Sequence, residues 1–178
     1  MALMWYFVIY SFFGVLLEWS YARVTGGRHR RRCFRVLPLC PVYGLGALAI
    51  LMITRWGQLT GLWLPAACAV AASGVEYLMA AVYEEGFGVS FWDYSRQKGN
   101  LHGRICPAFS AIWGVLALAL VEWIHPGVTR FVRAVPAPLS LMMTLLLAAD
   151  SLHTAIVLYR ERSTDSLGWP LFTHKNTA

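Results

Sequence analysis

Residues 105–124 read Ile-Cys-Pro-Ala-Phe-Ser-Ala-Ile-Trp-Gly-Val-Leu-Ala-Leu-Ala-Leu-Val-Glu-Trp-Ile, with a single charge, Glu122, close to one end. At about 1.5 Å of rise per residue, roughly 20 apolar residues cross a hydrocarbon layer about 30 Å thick, so this stretch has the length and character of a membrane span. Four further segments fit the same description: about Ala2 to Ala22, Val36 to Thr54, Gly61 to Tyr83 and Pro138 to Tyr159. Pro38 and Pro41 stand at the start of the second, where a helix tolerates proline, and Asp150 interrupts the last. The whole composition agrees. Of 178 residues, 58% are hydrophobic and 13% charged, with a mean hydropathy of +0.54, whereas soluble domains carry roughly 25% charged residues. A small soluble fold keeps too much surface to hide that many apolar side chains. The expected fold is all-α: a polytopic membrane bundle of about five transmembrane helices occupying residues 1–160, with a short tail over 161–178 and no room for a soluble catalytic domain.

Charge sets the expected orientation. Arg23, Arg28, Arg30, Arg31, Arg32 and Arg35 fall in the first loop, Arg96, Lys98 and Arg104 in the third, and Arg160, Arg162 and Lys175 in the tail. Only Arg55, Arg130 and Arg133 fall on the opposite side. Basic loops stay in the cytoplasm, so five crossings with the N-terminus outside and the C-terminus cytoplasmic satisfy the bias, and four or six do not. The net charge of +6 therefore reads as topology and lipid anchoring, not as a nucleic-acid surface. Ser20-Tyr21-Ala22 loosely suits a leader cleavage site, but no basic n-region precedes it and Glu18 lies just before it, so a retained helix is expected. The four cysteines, Cys33, Cys40, Cys68 and Cys106, form no C-x-x-C pair and give no reason to expect a structural disulfide. With His29 and His102 they match no zinc spacing, so neither metal nor cofactor is expected.

A faint parallel repeat links 2–54 with 61–124, leaving the helix at 138–159 as an addition. Gly14 and Glu18 precede a loop and then Leu39-Cys40-Pro41-Val42-Tyr43-Gly44; Gly74 and Glu76 precede a loop and then Ile105-Cys106-Pro107-Ala108-Phe109-Ser110. Chance likeness between apolar helices explains this about as well.

Acids inside apolar segments are the most telling residues, because a charge at the bilayer centre costs about 2.5–3.5 kcal/mol or more. Glu18, Glu76 and Asp150 are candidates for lining an ion or substrate path; His153 and Thr154 follow Asp150 at i+3 and i+4, placing all three on one helix face. The bland alternative is that each acid pairs with donors and only fixes helix positions. Glu122 lies at an interface beside Trp123 and His125 and reads as solvated. The third loop, from Glu84 to Arg104, gathers Phe91, Trp92 and Tyr94 with charges of both signs. Such a cluster points to a folded loop serving as a docking or gating surface, or to an aromatic belt with a turn. Asp93 and Ser95 suit a local side-chain turn, and Asn100 and Gly103 suit left-handed backbone. No P-loop, G-x-S-x-G or H-E-x-x-H motif occurs, so no enzyme activity is expected.

Gly14 to Glu18, Cys40-Pro41-Val42-Tyr43-Gly44-Leu45-Gly46-Ala47-Leu48, Glu76-Tyr77, Glu85-Gly86-Phe87-Gly88, Trp92-Asp93-Tyr94-Ser95, Asn100, Gly103-Arg104-Ile105-Cys106 and Ser110-Ala111-Ile112-Trp113-Gly114 together carry a resemblance. The chain resembles the CmpB-like ABC-transporter type IV permeases of bacteria over roughly residues 11 to 126. Phe91-Trp92 stands where that family has two tryptophans, the stretch before Cys40 is unusually Arg-rich, and Pro107 replaces an apolar residue. The resemblance implies a multi-pass permease-like protein of the bacterial plasma membrane. The expected function is a transport component that forms homo-oligomers in the lipid bilayer and borrows a separate ATPase, with Trp92, Asp93, Tyr94, Ser95, Asn100, Gly103, Arg104 and Cys106 forming the loop element. The alternatives are a non-transporting scaffold or regulator, and an intramembrane enzyme in which Asp150 and His153 meet Glu18 or Glu76.

Overall fold

The computed structural model describes residues 1–26, 33–57 and 60–167; the run Arg28 to Arg32 and most of the expected tail, including Lys175, lie outside them. Helix α1 is Ala2–Thr25, α2 is Pro41–Trp56 and α3 is Trp63–Ala81, which widens into a π-helical turn over Val82–Phe87. Helix α4 is Pro107–Ala119, followed by a π turn over Leu120–Ile124 and by α5, His125–Ala134; α6 is Ala137–Glu161. The chain is a polytopic helical bundle. Four of its helical stretches, Ala2–Thr25, Trp63–Phe87, Pro107–Ala134 and Ala137–Glu161, are long and apolar enough to cross a membrane, and Pro41–Trp56 is a shorter apolar helix.

The fourth span runs further than expected. The sequence places its end near Ile124, but the described chain stays helical to Ala134. Pro126 lacks the N–H an α-helix would use, and the chain widens into the π turn just before it, so the helical path continues without ending. Val128 and Val132 of α5 then pack back on Trp5 and Tyr10 of α1.

The second span is shorter than expected, and the reason matters for the site. Residues 33–40 are not helical. They form a strap with Cys33, Phe34, Leu39 and Cys40 buried in the bundle core. Pro38 disfavours helix in the residue before it, and Pro41 begins α2 at the position where its missing donor costs nothing. A buried non-helical backbone needs partners for its N–H groups. Asp150 on α6 supplies them: its carboxylate accepts from Val36 N (3.1 Å) and Leu37 N (2.7 Å). Thr154 Oγ1 accepts from Arg35 N at 3.0 Å, and the carbonyl of Ser11 accepts from Cys40 N at 3.0 Å. The strap also brings the Cys33 and Cys40 thiols to 3.2 Å.

Helices α1 to α4 pack in chain order, and two glycines set the closest approach. A Cβ on Gly14 would strike Tyr43, and one on Gly44 would strike Ser11 Oγ and the Phe7 carbonyl. Between α3 and α4 the contact is polar, with Ser73 Oγ donating to Ser110 Oγ at 2.7 Å. Trp5 Nε1 donates to Ser140 Oγ at 2.9 Å and ties α1 to α6. Gly44→Ala should therefore destabilise the bundle by about 1–3 kcal/mol through overpacking against backbone that cannot yield. Gly74→Ala, which meets nothing within 4 Å, should be neutral or slightly stabilising. Thermal unfolding of both variants in detergent checks the contrast; equal behaviour would remove the close-packing account.

Candidate functional site

The site begins with the loop after α3. Trp92 and Tyr94 are buried although they lie outside any helix. Trp92 Nε1 donates to the Arg104 carbonyl at 2.9 Å, and Tyr94 N donates to the Gly103 carbonyl at 2.7 Å, closing the loop on itself. The Asp93–Ser95 turn forms as its residues dictate: Asp93 Oδ1 accepts from Ser95 N at 2.8 Å and Oδ2 from the Ser95 hydroxyl at 3.0 Å. These two bonds hold the Asp93 carboxyl below the usual carboxylate range, the backbone N–H contributing most. Gly103 takes the left-handed conformation at φ +70°, but Asn100 does not; its place is taken by Gly99 at φ +70° and His102 at φ +54°. Asn100 instead bridges the turn with its side chain. Its Nδ2 donates to the carbonyls of Gln97 (2.7 Å) and Ser95 (3.1 Å), and its Oδ1 accepts from Gly103 N at 2.9 Å.

Arg104 anchors this loop to the end of α3. Its Nε reaches Glu84 Oε2 at 2.8 Å, its Nη2 reaches Glu85 Oε1 at 3.1 Å, and its guanidinium lies 5.1 Å from the Tyr77 ring centroid. Tyr77 in turn meets His102 Nδ1 at 2.8 Å. Cys106, buried at the mouth of α4, ends the loop, and Pro107 starts the helix.

The loop reaches inward to Glu76. This glutamate is 5% exposed, and its oxygens accept from Tyr94 Oη and Trp113 Nε1, each at 2.9 Å. Glu18, on α1, accepts from Tyr43 Oη of the intervening α2 at 2.8 Å. Tyr43 and Trp113 are themselves in ring contact at 5.2 Å, and Tyr94 stacks on Phe109 at 4.8 Å. These side chains wall a cavity of about 510 Å³ that carries Glu18, Glu76, Trp92, Asp93 and Tyr94 together. That volume lies within the usual range for small-molecule sites.

Two of the four candidate acid and histidine residues thus share one cavity, and two do not. Asp150 is buried against the strap, and neither it nor His153 belongs to the described wall of the cavity. His153 also parts from Asp150 and Thr154: those two are buried, while His153 is exposed. The geometry required for an Asp150–His153 acid–base pair beside Glu18 or Glu76 is therefore not present. Among the described residues no group of His, Cys, Asp and Glu is arranged to hold a metal ion.

Sequence alone does not mark Tyr43 and Trp113 as the acids' partners. A signal exists in the spacing: Tyr43, Ala47 and Ile50, and likewise Phe109, Trp113 and Leu116, follow i, i+4, i+7 and lie along single helix faces. That periodicity also describes ordinary core, so it names the face and not the hydrogen bond.

No curated protein and no solved structure matches the chain. One family model does, over residues 5–155, which takes in α1 from Trp5, α2 to α5, the loop from Gly88 to Cys106 and α6 as far as Ala155. The chain belongs to the family described as Putative ABC-transporter type IV.

Proposed function

We propose that the protein is a membrane-embedded transport component, a permease-like subunit of the bacterial plasma membrane that assembles with copies of itself and works with a separate ATPase. The observation that carries this reading is the cavity uniting Glu18 and Glu76, from two different helices, with the folded loop. A charge inside an apolar segment is costly, and acids drawn together around one cavity are the expected form of a path for a positive group. The loop, pinned by Arg104 to Glu84 and Glu85, supplies a rigid surface at the same end for an ATPase to engage. With the basic loops in the cytoplasm, that surface and the cavity mouth face the cell interior. Five crossings are few for a full path, which favours oligomers.

Purification of the tagged full chain from its own membranes in mild detergent tests this. A P-loop ATPase should co-purify, and Arg104→Ala, which removes the loop's ion pairs to Glu84 and Glu85, should reduce its recovery several-fold. A second reading, a scaffold without transport, draws support from the protein donors that each acid has found: Tyr43 for Glu18, Tyr94 and Trp113 for Glu76, Val36 and Leu37 for Asp150. Recovery of the chain alone, with no ATPase, favours that reading and counts against transport.

A further inference from the structure

Helix α6 turns only one side to the bundle, where Ser140, Asp150, Thr154 and Leu158 are buried. Away from that side, Met142, Leu146, Ala149, His153, Ile156 and Arg160 are all exposed. Their spacing alternates four and three residues, which lays them on one stripe about 27 Å long at helical rise. That is nearly the depth of a hydrocarbon layer about 30 Å thick. The same alternation marks the a and d positions of a seven-residue repeat, the seam along which two helices supercoil. Apolar residues alone do not show that the stripe is covered, because lipid tails are as apolar as leucine.

His153 supplies the missing observation. It lies about 10 Å inward of Arg160 at helical rise, in a stretch apolar enough to cross a membrane. It is exposed, and among the described residues no hydrogen bond or ion pair reaches its ring. The exposed hydroxyls nearby differ. Thr144 donates to the Ser140 carbonyl at 2.8 Å and Ser151 to the Leu147 carbonyl at 2.6 Å, each within α6. A polar ring at that depth calls for a partner on a neighbouring helix.

A second copy of this chain complements it. Copies inserted by the same sequence share one orientation, so parallel α6 helices set equal-numbered residues opposite each other at equal depth. A neutral imidazole carries one N–H donor and one bare nitrogen acceptor, so one His153 donates to the other. An unrelated helix would need its own polar group at this level; an identical helix has it. Ala149, one turn away, is small enough to let the two backbones approach. His153 stands at an a position, where a lone polar residue fixes register and oligomer state. Arg160, at the helix end, can splay its head into water.

Building on the reading that the chain assembles with copies of itself, we infer that α6 is the self-association surface. Two copies pair in parallel along the stripe over 142–160, joined inside the bilayer by a hydrogen bond between their His153 rings.

Single cysteines in the full chain, oxidised in native membranes with copper phenanthroline, test the face. The native cysteines are buried, so the wild-type chain supplies the background. Ala149→Cys and Ile156→Cys should give a disulfide-linked band of doubled mass. Leu141→Cys and Ala148→Cys, exposed but about a third of a turn off the stripe, should not. Fluorescent proteins fused after Ala178 then report pairing by energy transfer as the chain is diluted with lipid. His153→Leu should dissociate at a protein density about tenfold higher than wild type, the size of one interhelical hydrogen bond. His153→Asn keeps a donor and an acceptor and should stay close to wild type. Melting should not change in either variant, since His153 fastens nothing within its own chain. Crosslinking at all four positions alike, a crosslink to a protein of another mass, or wild-type pairing by His153→Leu overturns the inference. A dimer formed through a different face also overturns it but leaves self-assembly standing, whereas a monomer at every density removes both.

Discussion

Asp150→Leu should be among the most damaging single changes in the bundle, lowering stability by roughly 2–6 kcal/mol. The figure follows from what the carboxylate holds. It accepts the N–H groups of Val36 and Leu37, in a strap that has no helix or sheet to satisfy them. Each buried donor left without an acceptor costs about 1–3 kcal/mol, and two or more are orphaned together. A total stability of about 5–15 kcal/mol leaves little margin for such a loss. Asp150→Asn keeps one oxygen that can accept, so it should fall between wild type and leucine. Thr154→Val, which removes only the acceptor for Arg35 N, should cost about 1–3 kcal/mol. Thermal unfolding of the purified variants orders them, and hydrogen exchange at Val36 and Leu37 shows whether the strap has come loose. If Asp150→Leu matches wild type in melting and in protection of those amides, the carboxylate is not what holds the strap.

Asp150 also shows where sequence stops being informative. Its cost inside an apolar segment is a local property, and so are the lengths of the apolar segments, which is why the bundle and its acids can be read directly. What Asp150 binds is not local: the strap is 114 residues away from it in sequence. Hydropathy cannot separate a buried strap from a helix, since both are apolar; only Pro38 hints that Leu37 is not helical. His153 fails for a geometric reason. At 3.6 residues per turn, positions i+3 and i+4 lie on opposite sides of residue i, about 100° apart. The strap occupies the Thr154 side, leaving His153 exposed. The loop was more legible than the helices' partners because its residues act on near neighbours. Asp93 and Ser95 are two positions apart, and Asn100 and Gly103 three, so their bonds follow from residue type. Glu76 reaches Trp113 across 37 positions and Glu18 reaches Tyr43 across 25, and these pairings need the packed helices to exist first.

Glu76→Gln should abolish function while leaving the fold nearly intact, and Glu76→Leu should damage both. Among the described residues two donors meet at this carboxylate, Tyr94 Oη and Trp113 Nε1, and they differ in what they tolerate. An indole N–H can only donate, so it must face the glutamine oxygen. A phenol can also accept, so Tyr94 can turn its hydroxyl to receive the glutamine N–H. Both hydrogen bonds then survive with the charge gone. Leucine offers neither, leaving two buried donors at about 1–3 kcal/mol each and releasing the Tyr94 arm of the loop. Tyr94→Phe separates the loop from the charge: it removes the phenol's bond to Glu76, should cost about 1 kcal/mol, and keeps the carboxylate. If the acid's charge serves a positively charged cargo, activity should follow charge: retained largely in Tyr94→Phe, reduced at least a hundredfold in Glu76→Gln. If the acid is only a helix lock, activity should follow stability, and Glu76→Gln should behave like Tyr94→Phe. Measuring melting temperature and function on the same preparations of the three variants decides between a charge that works and a charge that merely fastens, because only the first makes a variant of native-like stability inactive.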